Sequence, residues 1–479
     1  MQQPAQRLPT RGAERAIAET LAAFAAELRF EAIPAAVRER AKHLVLDAVG
    51  IALASSRHEF ARCALAGLQA LDDPGPVPVI GLGARLTARD AASLNGILVH
   101  GLDFDDTHLA GIVHATASAF PAALSAAVAS GADGRELLTA YVLGVEVAAR
   151  LGAVAKAGFH QVGFHPTSVC GVFSSALLAG RLMELSRSQL AMAQGIALSM
   201  ASGSFEFLED GAWTKRLHPG WAAASGITAA ALAKGGFVGA TAAYEGRFGL
   251  YRSYLGPLEE RCDYSLATAG LGEVFEVMNV ALKPYPACHF THGCLDAAIA
   301  LAREHRLEPG AITRAVAHVP EGVVKTVCEP LEGKRRPQNA YDAQFSIPYQ
   351  VAAALLRGRF TLEELEPEAV GDPKIRALAA RVDYAIDPDT TFPKHYSGEV
   401  VLELQGGRQL RRREPINRGA PDRPLGNHEI AEKFMANATT AVARERAEQI
   451  RSLVLGLDEL AAAGELAEAL GKARADRTP

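Results

Sequence analysis

Helical periodicity dominates the first half of the chain. Over residues 14–252, alanine recurs with leucine, glutamate and arginine between short breaks, a pattern typical of amphipathic helices. Residues 35–56 (AAVRERAKHLVLDAVGIALASS) give one of the longest such segments. Asp133 and Ser186 each precede a helical segment and are predicted N-caps. The pattern therefore predicts a large helical domain over residues 1–275.

The pattern changes near Leu282. Residues 315–327 (AVAHVPEGVVKTV) contain a strand-like stretch, and apolar positions alternate on both sides of Gly406-Gly407, which predicts a β-hairpin. Helical patterns resume in residues 413–479. The predicted fold is mainly α: a large all-helical domain with a smaller α+β lid domain, residues 276–412, inserted before the C-terminal helices. A cleft between two such units is a common place for a small-molecule site.

Composition narrows the class of protein. The 479 residues are 49% hydrophobic and 22% charged, which is ordinary for a globular protein, and the net charge of −5 argues against a general nucleic-acid binder. The N-terminal MQQPAQRLPTRGAERA lacks the apolar stretch of a secretory signal. No run of about 18 apolar residues predicts a membrane span. We therefore expect a cytoplasmic protein without nucleic-acid or membrane partners, and interpret its six cysteines as reduced thiols.

The segment HGLDFDDTHLAGIVHATAS, residues 100–118, concentrates acidic groups and histidines. Asp103, Thr107 and His114 are candidates for chemistry because histidine and carboxylate together form the usual proton-transfer pair. A solvated acidic loop after a helix is the simpler explanation for Asp106. DFDDT also matches the DxDxT motif of haloacid-dehalogenase-like phosphatases, with Asp103 as nucleophile. That motif should follow a buried strand and bind magnesium, whereas helical segments flank it here.

Two further segments place histidines and cations near helix starts. His165 precedes Pro166, which favours an extended residue followed by a helix N-terminus, where the dipole lowers an imidazole pKa and attracts anions. Lys215, Arg216 and His218 are predicted to lie in a loop before Pro-Gly and a new helix. Two cations and a histidine in this position suit a carboxylate or phosphate.

The segment LKPYPACHFTHGCLDAA, residues 282–298, contains two cysteines and two histidines. Their spacing is not that of a usual zinc site, so we interpret the cysteines as core residues at a helix start. Lys283 and His292 are then candidates for lining the cleft. Tyr349, in YDAQFSIPYQVAAAL, opens an apolar helix, and packing is the simplest explanation for it.

Taken in order and spacing, these segments resemble the MmgE/PrpD family. The motifs are LDFDDTH, GFHPT, TKRLHPG, KPYPACHFTH, AQFSIPY and PLGNHEIAEKFMANA, and they extend over roughly residues 15–438. The family contains 2-methylcitrate dehydratases, cis-aconitate decarboxylases and iminodisuccinate epimerases. The resemblance implies a helical domain with an α+β lid, a homodimer and no required cofactor or metal.

The resemblance also implies a set of pocket residues. Matched by motif, these are Asp103, Thr107, His114, His165, Lys215, Lys283 and Tyr349. His218 and His292 are added because they lie beside members of that set. One difference is that the family commonly has His-Pro-Ser after the acidic loop, where this chain has His114-Ala115-Thr116.

The predicted function is a cofactor-free lyase for a small polycarboxylate, of the 2-methylcitrate dehydratase kind. Lys215 and Lys283 would bind substrate carboxylates, His114 and His165 would transfer protons, and Asp103 and Thr107 would orient the substrate or a histidine. Decarboxylation of cis-aconitate or epimerisation of iminodisuccinate are alternatives within the family. A magnesium-dependent phosphatase using DFDDT and a non-catalytic polycarboxylate-binding protein are alternatives from other classes.

Overall fold

The computed structural model describes residues 16–71, 74–305 and 309–472. Residues 1–15 of the N-terminal segment considered above and the charged end, residues 473–479, lie outside these ranges. The helices that precede the lid are α1 (Ile17–Glu27), α2 (Ala35–Ser55), α3 (Glu59–Gln69), α4 (Ala88–His100), α5 (Ala115–Ser130), α6 (Gly134–Val154), α7 (Gly158–Gln161), α8 (Pro166–Leu182), α9 (Arg187–Ala197), α10 (Phe207–Asp210), α11 (Thr214–Lys234) and α12 (Leu250–Leu255).

Local capping signals start several of these helices where the sequence predicts. The side chain of Asp133 accepts a hydrogen bond from the Glu136 N–H at 2.9 Å, and Ser186 caps α9 through the Gln189 N–H. Both predicted N-caps are confirmed. Short antiparallel pairs accompany the helices: β1 (Val77–Pro78) with β2 (Arg85–Leu86), and β3 (Thr107–His108) with β4 (Val280–Ala281).

Helix α11 begins earlier than its sequence suggests. The prediction placed Lys215, Arg216 and His218 in a loop before Pro-Gly, but all three lie in the first turns of α11, and Pro219 lies within the helix. The prediction was wrong because a proline this close to a helix start removes one backbone donor without ending the helix.

The lid contains a four-stranded sheet with helices packed against it. Its strands are β5 (Ile312–Val319), β6 (Val382–Ile386), β7 (Gly398–Leu404) and β8 (Gln409–Glu414), in the order β6-β5-β7-β8. The β5–β6 pair is parallel and the other pairs are antiparallel. The helices of this part are α13 (His292–His305), α14 (Val324–Val327), α15 (Leu331–Arg335), α16 (Ala340–Gln344), α17 (Ile347–Arg357), α18 (Pro367–Val370) and α19 (Pro373–Ala379).

Two details of the lid bear on the sequence prediction. The hairpin at Gly406-Gly407 is confirmed as the turn between β7 and β8, with Glu403 paired to Gln409. The strand-like stretch 315–327 is a strand only as far as Val319. Pro320 follows, and because proline cannot donate to a sheet ladder the chain turns there into a short helical segment.

The buried hydrophobic residues form two main clusters, one in the helical part and one mainly in the lid. The larger contains residues of α1 to α9, α11 and α12, Leu282, and residues of the C-terminal helices α20 (Asn427–Ala438), α21 (Arg444–Leu455) and α22 (Ala463–Gly471). The second runs mainly from Tyr285 to Ala420. The fold is therefore mainly α with a smaller α+β part, as predicted, while the domain bounds at 276 and 412 stay a prediction.

Helix α6 is the one helix of the described residues that is long and apolar enough to cross a membrane. The protein buries 94% of its apolar window, which is the behaviour of a core helix. Four of the six cysteines are buried, Cys63 is exposed, and all six are free thiols.

Candidate active site

A small cavity lies where the helical part meets the lid. The helical part contributes the acidic loop between α4 and α5, the start of α8 and the start of α11. The lid contributes the segment before α13 together with Thr326, Phe345 and Tyr396. Six of the predicted residues line this cavity: Asp103, Thr107, His114, His165, Lys215 and Lys283.

Asp103 holds two ammonium groups in the cavity wall. Its Oδ1 accepts hydrogen bonds from Lys215 Nζ at 2.8 Å and from Lys283 Nζ at 2.7 Å, and Lys283 also donates to the Asp103 carbonyl oxygen at 2.9 Å. Burial by itself would raise the pKa of Asp103, but the two lysines hold it well below its usual range. Lys283 is fully buried and stays charged, because Asp103 offsets the effect of burial on its pKa. The arrangement keeps two cations in place before any substrate arrives.

A second carboxylate, Asp105, orients a histidine. Asp105 Oδ2 accepts from His100 Nδ1 at 2.8 Å, while the Nε2 atom of His100 is buried without a hydrogen-bond partner among the described residues. Because the carboxylate only accepts, the proton of the neutral ring is on Nδ1 and Nε2 is an open acceptor. Burial lowers the pKa of His100 even though Asp105 acts in the opposite direction.

His114 has the same tautomer for a different reason. Its Nδ1 donates to the backbone carbonyl oxygen of Asp106 at 2.6 Å, so the opposite nitrogen, Nε2, carries no proton in the neutral ring. The Thr107 hydroxyl lies 3.3 Å from the same Nδ1, and the Thr167 hydroxyl accepts from the His114 N–H at 3.0 Å. Burial lowers the pKa of His114 well below its usual value. The ring is therefore a neutral base that rigid neighbours hold in one orientation.

His165 and His218 form a coupled pair at the helix starts. Their Nδ1 atoms are 3.0 Å apart, so one ring donates to the other, and the Ser168 hydroxyl donates to the His218 carbonyl oxygen at 3.1 Å. Burial, with His218 and Lys215 adding to it, lowers the pKa of His165 well below its usual value. Burial also lowers the pKa of His218 to about 3. His218 contacts His165, which lines the cavity, but His218 is not itself a lining residue.

Besides His218, two predicted residues do not line the cavity. Tyr349 is fully buried on α17, where its hydroxyl donates to the Glu364 carbonyl oxygen at 2.6 Å. Its helix buries the ring in the lid core, so the packing explanation holds for it. His292 lies behind the wall: its Nε2 is 3.2 Å from the Ala287 carbonyl oxygen, and its ring is 4.6 Å from that of His289, which does line the cavity.

Sequence reasoning missed several residues that the structure places at the site. His100 opens the same motif as Asp103, and its distance of five residues from Asp105 was a usable signal. The missed residues that line the cavity include His160, His289, Thr326 and Tyr396. Their segments carry no local pattern that distinguishes a lining side chain from an ordinary buried one.

The chain around Asp103 does not have the geometry of a haloacid-dehalogenase-like phosphatase. That motif requires a buried strand before its first aspartate, whereas Asp103 follows helix α4, and in the described chain the next strand is the two-residue β3. In addition, Asp103, which would have to be the nucleophile, forms ion pairs with Lys215 and Lys283. The phosphatase alternative is therefore set aside.

His100, His114 and His165 could hold a metal ion by geometry, since one ligand nitrogen from each lies within 4.8 Å of the others. Imidazole is a usual ligand for zinc and other transition metals. The two ammonium groups beside these rings oppose a divalent cation at the same place. The donor set therefore fits neutral imidazoles working with lysines better than a resident metal.

Comparison with known proteins agrees with this arrangement. The MmgE/PrpD N-terminal domain matches residues 19–261, and the MmgE/PrpD C-terminal domain matches residues 285–459. The chain belongs to the MmgE/PrpD family. The family resemblance predicted from the motifs is thus confirmed, and so is the assignment of the chain to the lyases.

Three relatives named for lyase activities cover between 78% and 93% of this chain. A cis-aconitate decarboxylase of Homo sapiens is 30% identical, over 93% of this chain and 92% of its own length. A cis-aconitate decarboxylase-like protein of Aspergillus oryzae is 28% identical, over 92% of this chain and 94% of its own length. A 2-methylcitrate dehydratase of Cupriavidus necator is 25% identical, over 78% of this chain and 82% of its own length.

Proposed function

We propose that this chain is a lyase that releases carbon dioxide from a small unsaturated polycarboxylate without a bound cofactor. The observation that carries the proposal is a pair of ammonium groups, Lys215 and Lys283, held by one carboxylate beside neutral imidazoles in a single cavity. The decarboxylases among the relatives support this choice over the dehydratase that the motifs first suggested.

The chemistry follows from charge. When the bond between a carboxylate and the substrate carbon breaks, its electron pair stays on the substrate and spreads onto a conjugated carboxylate. Lys215 and Lys283 stabilise that developing charge, as fixed cations in a dry site do most effectively. An imidazolium then donates a proton to the negatively charged substrate, and the resulting neutral imidazole takes up a new proton from the solvent.

The resting charges explain how an imidazolium can form at the site. The charges of Asp103 and Asp105 cancel those of Lys215 and Lys283, so the cavity is close to neutral while its imidazoles are neutral. A substrate with several carboxylates brings in uncompensated negative charge, which raises the pKa of a neighbouring imidazole. Substrate binding is therefore coupled to proton uptake by His114 or His165.

Dehydration is a second candidate, which one observation favours. The tautomer of His114 leaves Nε2 as an unprotonated base in the resting site, as removal of a proton next to a carboxylate requires. This alternative keeps the 2-methylcitrate dehydratase prediction, which the Cupriavidus necator relative supports. In that reaction His114 Nε2 takes the proton from the carbon, the C–H electron pair forms the double bond, and the C–O bond breaks as the imidazolium of His114 returns its proton to the hydroxyl, which leaves as water.

The test is an NMR assay in deuterated water with EDTA. Purified protein is incubated separately with cis-aconitate, 2-methyl-cis-aconitate and 2-methylcitrate. We expect carbon dioxide and a product carrying one deuterium from a tricarboxylate. Water loss without carbon dioxide would favour the dehydratase instead, and no conversion of any compound would contradict both.

Variants link that activity to the proposed residues. Lys283→Met should lose at least about 10²-fold in kcat, because a cation that stabilises the transition state is removed. Lys394→Met is the matched control, since the side chain of Lys394 is 73% exposed on the lid surface. Circular dichroism confirms folding. A folded Lys283→Met with full turnover would contradict the assigned role.

We also propose that the enzyme is a homodimer, as the family resemblance implies. Trp213, Leu217 and Trp221 follow one another at intervals of four residues at the start of α11, so they lie on one face of the helix. They are 44%, 42% and 49% exposed. Large exposed aromatic groups in one patch are typical of a protein–protein interface.

A further inference from the structure

A second and larger opening, the arginine cleft, lies between the helical part and the lid. It has a volume of about 770 Å³ and is lined by Arg57, Arg216 and Arg376 among other residues. None of its lining residues also lines the cavity of the candidate active site. The volume is ordinary for a small-molecule pocket, yet the proposed lyase reaction uses no group of this cleft.

Arg216 is a buried cation in the wall of the arginine cleft. The residue is 8% exposed, and its Nε donates to the Gly101 carbonyl oxygen at 2.8 Å. Its Nη1 is buried, and no described residue accepts a hydrogen bond from either Nη atom. Burial lowers the pKa of Arg216, but a guanidinium group stays charged in proteins. Four of its N–H donors therefore lack the acceptor that a buried cation requires.

Aromatic rings hold this guanidinium group without neutralising it. Its Cζ atom lies 4.5 Å from the ring centroid of Phe60 in the helical part and 4.5 Å from that of Tyr341 in the lid. Such cation–π contacts attract the positive charge. A ring face does not supply the paired oxygen atoms that match the guanidinium fork. The contacts fix the cation at the junction of the two parts and leave it able to bind an oxyanion.

The other two arginines of the arginine cleft also lack acidic partners. Among the described residues, neither Arg57 nor Arg376 forms an ion pair with an aspartate or glutamate, and the same is true of Arg216. Arg57 donates to the Thr440 carbonyl oxygen at 2.6 Å, and Arg376 donates to the Val370 carbonyl oxygen at 3.0 Å. Backbone oxygens satisfy single donors but carry no net charge. The three positive charges are therefore uncompensated at close range.

The positive charge is concentrated on the helical side of the arginine cleft. Burial, with Arg216 and Arg57 adding to it, lowers the pKa of His58, so these three groups lie close together. The carboxylates that line the cleft, Glu363 and Glu366, belong to the lid side. Among the described residues that line the helical side there is no carboxylate. A negatively charged group is therefore favoured beside Arg216 and disfavoured near the lid side.

We propose that the arginine cleft is a second anion site, in which a carboxylate or phosphate group of a small molecule binds Arg216, with Arg57 and His58 beside it. The bound group supplies the oxygen atoms that the guanidinium fork lacks and offsets an unpaired buried charge. The inference does not rest on the proposed lyase reaction, because the cleft and the active-site cavity have no lining residue in common.

Calorimetric titration of the full chain at low ionic strength tests the site directly. The probes are inorganic phosphate and acetate in separate titrations, because they carry the two candidate groups and little else. We expect saturable binding of at least one probe, and the probe that binds more tightly identifies the preferred group. Failure of both probes to bind saturably would overturn the inference.

Variants assign that binding to the arginine cleft. Ala340, the exposed first residue of α16, lies in the lid wall. Ala340→Glu adds a negative charge there and should weaken binding about fivefold or more, because like charges repel. Ala340→Gln, of equal length and without charge, is the matched control and should keep the dissociation constant within about twofold. Arg216→Met should abolish binding in a protein whose circular dichroism is unchanged. Equal affinities of Ala340→Glu and Ala340→Gln would overturn the inference.

Lys283→Met separates this site from the active-site cavity. Binding of phosphate or acetate should persist in Lys283→Met, since Lys283 lines only the cavity. Binding that Lys283→Met abolishes and Ala340→Glu leaves unchanged would place the anion in the cavity and overturn the second site. None of these measurements requires turnover, so failure of the lyase assay would leave the inference standing.

Discussion

Single residues in the acidic loop adopt conformations that their own preferences do not favour. Asp103 has φ of 49° and Ile112 has φ of 52°, both in the left-handed region. Aspartate tolerates that region, but a β-branched residue there is an outlier. Both residues line the cavity, and Ile112 lies two positions before His114. The loop conformation is therefore imposed by the surrounding contacts, as is common where a site needs a fixed geometry.

Asp106 gives the stability of the protein a pH dependence. Burial, with the nearby Asp105 adding to it, raises the pKa of Asp106 to about 7, although the side chain accepts hydrogen bonds from the Thr116 hydroxyl and N–H. The unfolded value is about 3.9. The folded state thus holds a proton that the unfolded state has released. That stabilisation is fully present below pH 4, and it falls as the pH rises to about 7.

We therefore predict that Asp106→Asn removes a pH-dependent loss of stability. The difference in free energy of unfolding between the variant and the parent should shift by about 2–3 kcal/mol in favour of the variant from pH 5 to pH 8. Urea unfolding of both proteins at each pH measures it, and the other titrating groups cancel in the difference. Asp389→Asn, at an exposed position, is the control. A difference that stays the same at both pH values would contradict the prediction.

At the scale of elements, one helix crossing positions the charged centre. Helices α4 and α11 meet at Gly96 and Gly220, where a Cβ atom on Gly96 would lie 2.6 Å from the Gly220 Cα. A Cβ atom on Gly220 would collide with the Ser93 carbonyl oxygen. The close approach lets the end of α4 deliver Asp103 to Lys215 at the start of α11. The ion pair therefore depends on two glycines that never touch the cavity.

We predict that Gly220→Ala disturbs both stability and activity. The added methyl group forces the helices apart, and overpacking of this kind costs about 1–3 kcal/mol of unfolding free energy. Turnover should fall at least tenfold, because Lys215 moves away from Asp103. Gly67→Ala in α3 is the matched control: its Cβ atom meets nothing within 4 Å, so it should be neutral or slightly stabilising. Similar behaviour of the two variants would show that the crossing does not matter.

At the scale of the whole molecule, two parts with separate cores build one cavity. The helical part supplies most of the proton-transfer and charged groups, both parts supply the apolar wall, and the lid adds Lys283 near the junction. Lys433 of α20 ties these parts together, since its ammonium group binds Asp47 and donates to the carbonyl oxygens of Phe104 and Lys283. The C-terminal helices therefore support the site from behind.

The proposed homodimer gives a prediction at the same scale. Leu217→Glu combined with Trp221→Glu places two charges on the exposed face of α11, so sedimentation velocity should show a shift from dimer to monomer. Leu71→Glu introduces a charge at another exposed leucine and should leave the dimer intact. An unchanged sedimentation coefficient for the double variant would place the interface elsewhere or rule out the dimer.

The sequence by itself determined the local elements and most of the chemical groups. Helical periodicity, the caps at Asp133 and Ser186 and the Gly406-Gly407 hairpin are properties of neighbouring residues, so they can be read along the chain. The ordered motifs likewise identified six residues of the cavity wall. Local signals failed where packing overrode them, as at the early start of α11.

Only the tertiary structure decided which groups meet and in what state. Asp103 lies 112 residues from Lys215 and 180 from Lys283 in the sequence. No local pattern predicts that its carboxylate binds both ammonium groups. In the folded protein the Tyr349 side chain lies in the lid core, whereas His100 lies beside His114 and several phenylalanine side chains line the cavity. The physical reason is that side-chain direction, burial and pKa depend on neighbours from distant segments, which are in place only after the chain has folded.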